Sequence, residues 1–333
     1  MILGRESKRR NRSLREILSK RPCLGSFVRN LELAIVETQE AHRFSNLLSH
    51  LTRLRALTLV EMGGLGNKWK SFSTTFRVAL LQLIWLPTLY LFEINFEDFP
   101  FPYLRFCSNL KNLILLHRLY CNALDVDNTP EPELVPLLSL PSVPVAGPGH
   151  LEALAMGNWI ALRKLLAVVQ HPSSILSVVR LELFKALIVQ KEDLNEVSKV
   201  LSLAAPTIRI LGFVVSISPE DSDPVLPLLE KLTHLERLQF TTDGFSAKRA
   251  SDWACKALEA IPVYNRLDTV IFEVKPMRNP GDMDWRRIDR ILTRERHEKM
   301  LTRVLLIVPR PLEDDVAQMM PLLDERVKTF FLR

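Results

Sequence analysis

The stretch LTRLRALTL, residues 51–59, contains the spacing that decides the fold of this chain. Within it, Leu54, Leu57 and Leu59 form the pattern L-x-x-L-x-L. Side chains alternate between the two faces of a β-strand, so the last two leucines of this pattern share one face. The stretch therefore predicts a short strand whose leucines enter a core, with the residues between them on the opposite face.

The same apolar spacing returns along the whole chain. Close copies start at Leu110, Leu151, Val178, Ile208 and Leu235, and looser copies start at Val28, Leu89, Leu267, Leu301 and Val327. The starting positions are 21 to 41 residues apart and about 30 residues apart on average, at the long end of leucine-rich repeats. Such a period indicates a protein built by stacking similar units.

Helix-forming stretches lie between the predicted strands. They cover residues 13–19, 40–50, 71–85, 159–169, 192–203, 225–232, 247–261 and 285–299. Strands that alternate with helices at this period form a parallel sheet with the helices on its other side. We therefore expect an α/β fold, a leucine-rich-repeat-like solenoid shaped as an irregular horseshoe, with parallel strands on its concave face and helices on its convex face.

The predicted domain organisation is a tail and one body. Residues 1–21 form a basic N-terminal tail with a short helix, and residues 22–333 form the irregular solenoid. Six prolines fall between residues 122 and 150. Because proline is excluded from helix interiors and central strands, residues 122–150 are expected to be an exposed excursion from the body.

Composition and charge narrow the classes of function. The chain has 333 residues, 47% of them hydrophobic, and a net charge of +6. Residues 1–21 contain eight Lys or Arg and two Glu, so they account for the whole excess. A nucleic-acid-binding protein would spread basic charge over a folded face. The basic run 8–12 is read first as a solvated tail, then as a nuclear-import signal, and last as a nucleic-acid contact.

Several features indicate an intracellular protein, cytoplasmic or nuclear. The four cysteines are widely spaced and form no C-x-x-C pair, which is typical of free thiols in a reducing compartment. The N-terminal residues are too charged for a signal peptide. The apolar run 78–92 is too short to span a bilayer and contains Pro87, so no membrane partner is expected.

The motifs that could carry chemistry are incomplete. Residues 63–68, GGLGNK, fail the spacing of a phosphate-binding loop, and no G-x-S-x-G or H-E-x-x-H occurs. The D-x-D pairs at 125/127, 221/223 and 282/284 are expected in loops or at helix starts, where aspartate serves as a cap. The sequence therefore predicts a non-enzymatic protein with no catalytic residue, cofactor or metal.

The outward side chains of the predicted strands are mainly apolar with isolated charges, which suits protein recognition. The repeat at Val178 is expected to bury Leu181 and Leu183 as well. The residues predicted to bind a protein target are Phe184, Val214, Arg237 and Gln239. Two alternatives stay open: the excursion covers part of this face, or the predicted register is wrong by one residue.

Three stretches carry a resemblance to a known family. They are SLREILSKRPCLGSFVRNLEL at 13–33, CSNLKNLIL at 107–115, and WRRIDRILTRERHEKMLTRVLLIV at 285–308 followed by MMPLLDERVKTFFL at 319–332. Together they resemble the F-box/leucine-rich-repeat proteins of mushroom-type fungi. The resemblance implies the part of a ubiquitin-ligase adaptor that binds the substrate. A stand-alone leucine-rich-repeat scaffold with no ubiquitin link is the alternative.

The chain departs from that family at two points. An F-box would precede residue 13, but residues 1–12 are too short and too basic to form one. A Skp-type linker and a cullin are therefore implied as partners only if an F-box lies upstream. The repeats also lack the usual Asn or Cys at their ninth position, where Met62 and Trp159 stand. We expect their turns to be held by other contacts.

Overall fold

The structure is a computed structural model. It describes residues 2–35, 38–61, 69–94, 99–115, 134, 149–157, 159–216, 224–242, 247–262, 265–274, 283–294, 301–309 and 327–332. The chain divides into two compact units, Met1–Val178 and Val179–Arg333.

The first unit contains a five-stranded parallel sheet. Its elements are α1 (Ile2–Lys20), β1 (Asn30–Ile35), α2 (Thr38–Leu48), β2 (Ala56–Glu61), α3 (Thr74–Ile84), β3 (Leu91–Ile94), β4 (Asn112–Leu115), β5 (Gly149–His150), β6 (Ala153–Met156), α4 (Trp159–Val169) and β7 (Leu176–Ser177). Three 3₁₀ helices lie at Pro22–Phe27, Trp69–Ser71 and Phe101–Phe106. The sheet has the order β1-β2-β3-β4-β6, and β5 pairs in parallel with β7.

The second unit contains a six-stranded parallel sheet. Its elements are β8 (Leu183–Ile188), α5 (Lys191–Ala204), β9 (Ile210–Val215), α6 (Leu226–Leu229), β10 (Arg237–Thr242), α7 (Ala247–Ala260), β11 (Thr269–Glu273), α8 (Trp285–Leu292), β12 (Arg303–Pro309) and β13 (Val327–Leu332). Neighbouring strands follow one another in sequence from β8 to β13. The predicted α/β architecture with parallel strands is confirmed.

The leucine pattern forms the core as predicted in nearly every repeat. Leu54, Leu57 and Leu59 are each fully buried, and Leu57 and Leu59 lie on β2. The equivalent apolar residues of β3, β4, β6, β9, β10, β11 and β12 are also buried. Burial of such a side chain stabilises the fold by about 1.5–3 kcal/mol, so these repeated residues dominate its stability.

The predicted register of β8 is wrong. The strand begins at Leu183, and Phe184, Ala186 and Ile188 are its buried residues, whereas Leu183 is half-buried. Phe184 therefore lies in the core and not on the outward face. The physical reason is cross-strand alignment: Phe184 pairs with the buried Leu211 of β9, so both side chains enter the same core.

The predicted helices agree with the structure in position and differ mainly in length. Helix α4 has the predicted bounds, α5 is longer than predicted by one residue at each end, and α7 ends one residue earlier than predicted. Helix α1 is much longer than the predicted segment 13–19. Its additional residues include many arginines, which are strong helix formers, and Leu18 anchors the helix in the core.

Aromatic side chains join the helices to one face of the second sheet. Trp253 of α7 packs edge-on against Phe213, with ring centroids 4.7 Å apart. Phe240 stacks on Phe272 at 5.5 Å, and Phe272 meets Trp285 of α8 at 5.8 Å. These contacts place the helices of this unit on the inward face of the sheet, where the apolar residues of the repeats point.

Backbone hydrogen bonds hold successive repeats together. In eight of the repeats, the carbonyl of the residue before the strand accepts hydrogen bonds from two consecutive N–H groups of the next repeat. The Glu182 carbonyl, for example, accepts from the N–H groups of Arg209 at 2.8 Å and Ile210 at 2.9 Å. The other carbonyls with this pair of contacts belong to Arg29, Arg55, Tyr90 and Lys111 in the first unit and to Arg209, Glu236 and Asp268 in the second. These contacts supply the connection that a side-chain ladder would otherwise make.

Two threonine hydroxyls add to this connection. The Thr88 hydroxyl donates to the carbonyl of Leu54 at 2.7 Å, and the Thr207 hydroxyl lies 2.9 Å from the carbonyl of Leu181. Both threonines directly precede the first apolar residue of their own repeat and contact the first apolar residue of the preceding repeat. Each hydrogen bond fixes the distance between two adjacent repeats.

Two predicted features fall largely or wholly outside this description. In the excursion 122–150, the structure describes only Leu134, Gly149 and His150. The glycine-rich turn 63–68 lies outside the described residues. Among the helices that the structure does describe, none is both long enough and apolar enough to cross a membrane.

Candidate functional site

The outward face of the second sheet is the surface on which the sequence predicts binding. We call it the open face. Its side chains belong to Leu183, Lys185, Leu187, Ile210, Gly212, Val214, Arg237, Gln239, Thr241, Thr269, Ile271, Glu273, Arg303, Leu305 and Ile307. They alternate along each strand with the buried residues of the repeats.

The strand register arranges these side chains in rows across the sheet. The row nearest the amino ends of the strands runs through Leu183, Ile210, Arg237, Thr269 and Arg303. Side chains directly opposite one another on neighbouring strands lie within contact distance. The open face is therefore a floor on which half-buried apolar side chains and exposed charges surround the buried Thr241, Thr269 and Ile271.

Three of the four predicted binding residues lie on the open face. Arg237 is exposed, and Gln239 and Val214 are half-buried. Phe184 is the exception, because its side chain is 0% exposed and belongs to the core. Strand pairing places Val214 of β9 beside Thr241 of β10, and Thr241 is two residues from Gln239 on the same strand.

A hydrogen-bonded polar group occupies the end of the open face near the carboxyl ends of the strands. Glu273 accepts hydrogen bonds on one carboxylate oxygen from the Gln239 amide at 3.0 Å and from the Thr241 hydroxyl at 3.1 Å. The two donors come from β10 and the acceptor from β11. The Gln239 side chain is thereby held in one orientation and presents a fixed polar group to a ligand.

Lys185 lies across the neighbouring strand. A Cβ atom added to Gly212 would stand 2.9 Å from Lys185 Cγ and 3.5 Å from its Cε, so the lysine stem covers the glycine backbone. Lys185 itself is exposed. The stem contributes apolar surface to the floor, while the ammonium group stays in solvent.

Some cations of this unit are paired with carboxylates, whereas others, such as Arg249 and Arg266, have none within ion-pair distance among the described residues. Lys199 pairs with Glu196 at 2.7 Å, Arg209 with Glu236 at 2.8 Å, and Arg287 with Asp252 at 3.5 Å. In contrast, Lys185, Arg237 and Arg303 have no carboxylate within ion-pair distance in the described part of the unit.

At the rim beside the amino ends of the strands, one arginine is paired within the protein. Arg209 lies between Glu182 and Glu236, which occupy the same position in the two adjacent repeats. The hydrogen bond to Glu236, and then its charge, raise the pKa of the Arg209 guanidinium above its ordinary value. Being fully paired, this arginine offers little to a ligand.

The outward face of the first unit has a different character. Its central strands present Ala56, Thr58, Glu93 and Ile114, and β6 presents two alanines. The Thr58 hydroxyl donates to the Glu93 carboxylate at 3.3 Å. This surface also carries the half-buried Leu91 and Asn112, and its described central strands present no lysine or arginine.

Of the D-x-D pairs and the glycine-rich loop that the sequence offers as candidates for chemistry, the structure describes only Asp284. The pairs 125/127 and 221/223 and the loop 63–68 lie outside the described residues. Asp284 caps α8, since its carboxylate accepts from the Arg287 N–H at 3.0 Å. No group of three or more His, Cys, Asp or Glu in the described ranges could hold a metal ion.

The described cysteines are free thiols in two environments. Cys107 and Cys255 are buried, whereas Cys23 is exposed. Burial raises the pKa of the Cys255 thiol to about 12, and it also raises the pKa of the Cys107 thiol. The Cys107 thiol lies 3.3 Å from the carbonyl of Ile84. A thiol with a raised pKa is a poor nucleophile, so both buried cysteines are structural.

Sequence reasoning missed Lys185 and did not select Arg303 or Glu273. Lys185 was missed because the predicted register of β8 ended before it. Arg303 and Glu273 fall on the repeats predicted at Leu301 and Leu267, but nothing in their sequence neighbourhood distinguishes them from other charged residues. Their importance rests on which side chains they meet across the sheet.

Comparison with known proteins assigns this chain to no family. No protein-family model matches this chain, and no curated protein is significantly similar to it.

Proposed function

We propose that this protein is a non-enzymatic recognition module that binds a protein target on the open face of its second unit. The observation that carries this proposal is the combination, on one sheet face, of half-buried apolar side chains with exposed cations that have no carboxylate partner among the described residues. Protein-binding surfaces combine an apolar centre with polar groups that orient the partner. Val214, Arg237 and Gln239 are the proposed binding residues.

The fold proposed for the two units is that of leucine-rich repeats, an irregular solenoid with its strands on the concave side and its helices on the convex side. The repeated burial of leucines at L-x-x-L-x-L spacing supports it. The carbonyl that accepts two N–H groups supports it as well, because it recurs at the same position in eight of the repeats. A stack of such units creates an extended surface suited to macromolecular partners.

The proposed mechanism divides affinity and orientation between two sets of side chains. Val214, Ile210 and Leu305 lose their remaining contact with water when a partner covers them, which favours association by about 25 cal/mol per Å² of apolar surface. Gln239 is already held by Glu273, so it costs little conformational entropy to order on binding.

The test uses the face itself to identify its partner. A photo-crosslinking amino acid replaces Val214 on the open face in one variant and Arg249 on α7 in a control variant. Both positions have solvent-accessible side chains, but only Val214 belongs to the open face. The expected result is a protein joined to the Val214 variant and not to the control.

The identified partner is then purified and its affinity measured by calorimetry. Val214→Glu should weaken binding at least tenfold while leaving the melting temperature unchanged, because the side chain is already partly in solvent. Arg249→Glu should change neither quantity. Equal loss of folding and binding in Val214→Glu, or unaltered binding, would contradict the proposal.

We further propose that the target is one selected for ubiquitylation. The resemblance of residues 13–33, 107–115 and 285–332 to F-box/leucine-rich-repeat proteins supports this, and a stand-alone scaffold is the alternative. The measurement is the 5′ end of the native transcript together with the mass of the mature N-terminus. An F-box encoded upstream would support an adaptor that binds a Skp-type linker and a cullin. A native start at Met1 would leave the scaffold.

A further inference from the structure

We propose that the segment of the target that occupies the open face is an acidic amphipathic helix. Its carboxylates would meet Arg237 and Arg303, with Lys185 as a third cation, and its apolar side chains would cover the floor between them. This inference rests on the proposed function and specifies the chemistry of the partner.

Three cations of the open face have no carboxylate partner among the described residues. Arg237, Arg303 and Lys185 are all exposed on the open face, and none of them meets a carboxylate in the part of the chain that the structure describes. Elsewhere in the same unit, cations such as Arg209 and Arg287 are paired with carboxylates from neighbouring elements. An acidic partner would supply carboxylates to these three cations of the open face.

The one described carboxylate of the face does not cancel this charge. Glu273 lies in the row near the carboxyl ends of the strands, whereas Arg237 and Arg303 lie in the row near the amino ends. Its Oε2 already accepts hydrogen bonds from Gln239 and Thr241. The row that holds Arg237 and Arg303 therefore contains two arginines and no carboxylate from β8 to β12.

The spacing of the two arginines favours a helix. Arg237 and Arg303 flank Thr269, which pairs with both of them in the sheet. Strands about 4.8 Å apart place the two arginine Cα atoms about 10 Å from each other. Seven residues of α-helix span about 10.5 Å, so carboxylates seven positions apart match this distance.

The floor between the arginines suits the rest of such a helix. Residues three and four positions after the first carboxylate lie on the same side of the helix and would point at the sheet. Beneath them the open face offers the half-buried Ile210 and Leu305, while the buried Thr269 and Ile271 lie on the strand between the two arginines. An apolar stripe between two acids is thus complementary to the apolar side chains that lie beside the two arginines.

The same face fits a nucleic acid poorly. The aromatic residues of β8 to β11, which could stack on bases, are Phe184, Phe213, Phe240 and Phe272, and all four are buried. A phosphate backbone gains from many cations, whereas the open face from β8 to β12 has three, Lys185, Arg237 and Arg303. The observations therefore favour an acidic protein segment.

The experiment measures fluorescence anisotropy of labelled synthetic helices bound to the full chain. The probe has glutamates seven positions apart and leucines three and four positions after the first. Two matched probes carry glutamine or lysine in place of both glutamates. We expect the glutamate helix to bind at least tenfold more tightly than either, with affinity that falls as salt rises.

Matched variants locate the binding site. Arg237→Glu and Arg303→Glu should each weaken the glutamate helix at least tenfold, and the double variant should prefer the lysine helix. Arg249→Glu makes the same charge change on α7 and should leave binding unaltered. Thermal melting of each variant establishes that the fold is retained, since all three side chains are exposed.

Each result has one meaning. Equal binding of the glutamate and glutamine helices, or no effect of the arginine variants, would overturn the acidic partner but leave recognition by an apolar face intact. Failure of every helix while Val214→Glu still weakens the crosslinked partner would also overturn only the acidic helix. Tight binding of a labelled RNA or DNA that depends on Arg237 and Arg303 would overturn it in favour of a polyphosphate.

Discussion

Gly212 lies directly beneath the side chain of Lys185, which comes from the neighbouring strand. A Cβ atom on Gly212 would stand 2.9 Å from Lys185 Cγ, closer than two carbon atoms approach without displacement. The absence of a side chain on β9 thus lets the lysine stem lie flat on the open face. The position of this cation depends on a glycine 27 residues away in sequence.

Gly212→Ala should separate stability from binding. The atoms that the new methyl group meets belong to an exposed and flexible lysine, so Lys185 can move aside. We expect the free energy of unfolding, measured in urea, to change by less than about 1 kcal/mol. The displaced ammonium should weaken the glutamate helix by about twofold to fivefold.

Gly149→Ala is the matched contrast. There the added Cβ would stand 2.6 Å from the carbonyl oxygen of Ser108, and backbone cannot move aside as a lysine can. Urea unfolding should show a loss of about 1–3 kcal/mol. If both glycine variants lose the same stability, the lysine above Gly212 is not as free to move as we infer.

Phe184→Ala should destabilise the second unit strongly. The Phe184 side chain is fully buried, so its removal leaves a cavity and loses apolar burial, at a cost of about 3–5 kcal/mol. Val214→Ala, one strand away on the opposite face, should cost less than about 1 kcal/mol. Chemical denaturation of the two variants checks the register of β8, and a small loss for Phe184→Ala would contradict it.

Thr207→Val should loosen the contact between two repeats. The Thr207 hydroxyl lies within hydrogen-bond distance of the carbonyls of both Leu181 and Ala204, and valine keeps the shape without the donor. We expect a loss of about 1 kcal/mol in the free energy of unfolding. Thr207→Ser keeps the hydroxyl and should retain most of that stability, whereas equal losses would point to the methyl group instead.

Stability should fall in alkaline solution because of the buried thiols. Burial raises the pKa of Cys255 from 9.0 to about 12, so between these values the unfolded chain loses the thiol proton while the folded chain keeps it. The unfolded state is then favoured by about 1.4 kcal/mol per pH unit for this group. Below about pH 9 both states keep the proton and the effect vanishes.

The measurement compares urea unfolding of the wild type and Cys255→Ala at several values between pH 8 and pH 10, on the order of one unit either side of the ordinary thiol pKa. The advantage of the wild type should shrink as the pH rises. Cys23→Ala, which removes an exposed thiol, should leave the pH dependence unchanged. A constant difference between wild type and Cys255→Ala would show that the buried thiol ionises in the folded protein.

The fold was predictable because its periodic signal is long, and the error in β8 shows where that signal ends. Val178, Leu181 and Leu183 fit the pattern L-x-x-L-x-L, but so do Leu181, Phe184 and Ala186. Hydrophobicity alone cannot choose between two apolar triplets three residues apart. The choice is made by pairing with β9, where Phe184 lies beside Leu211, and that contact is not local in sequence.

The charges of the site were less predictable than its position. Arg209 and Arg237 are both arginines near the start of a strand, yet only Arg209 stands between two glutamates of adjacent repeats. Arg237 is one position further along its repeat, beside Ile210 and Thr269. Whether an arginine is free or paired depends on the exact alignment of three repeats, and an irregular period does not provide that alignment.

In eight of the repeats, one main-chain carbonyl accepts two hydrogen bonds from the next repeat, and this contact tolerates changes in the amino-acid sequence. Its atoms are all main-chain atoms, and the residues that contribute the carbonyl include arginine, tyrosine, lysine, glutamate and aspartate. Natural selection can therefore exchange these residues, and lengthen the connections between them, without loss of the interaction. In a chain of this kind, the backbone arrangement would be retained after the amino-acid sequence had diverged from that of distant relatives.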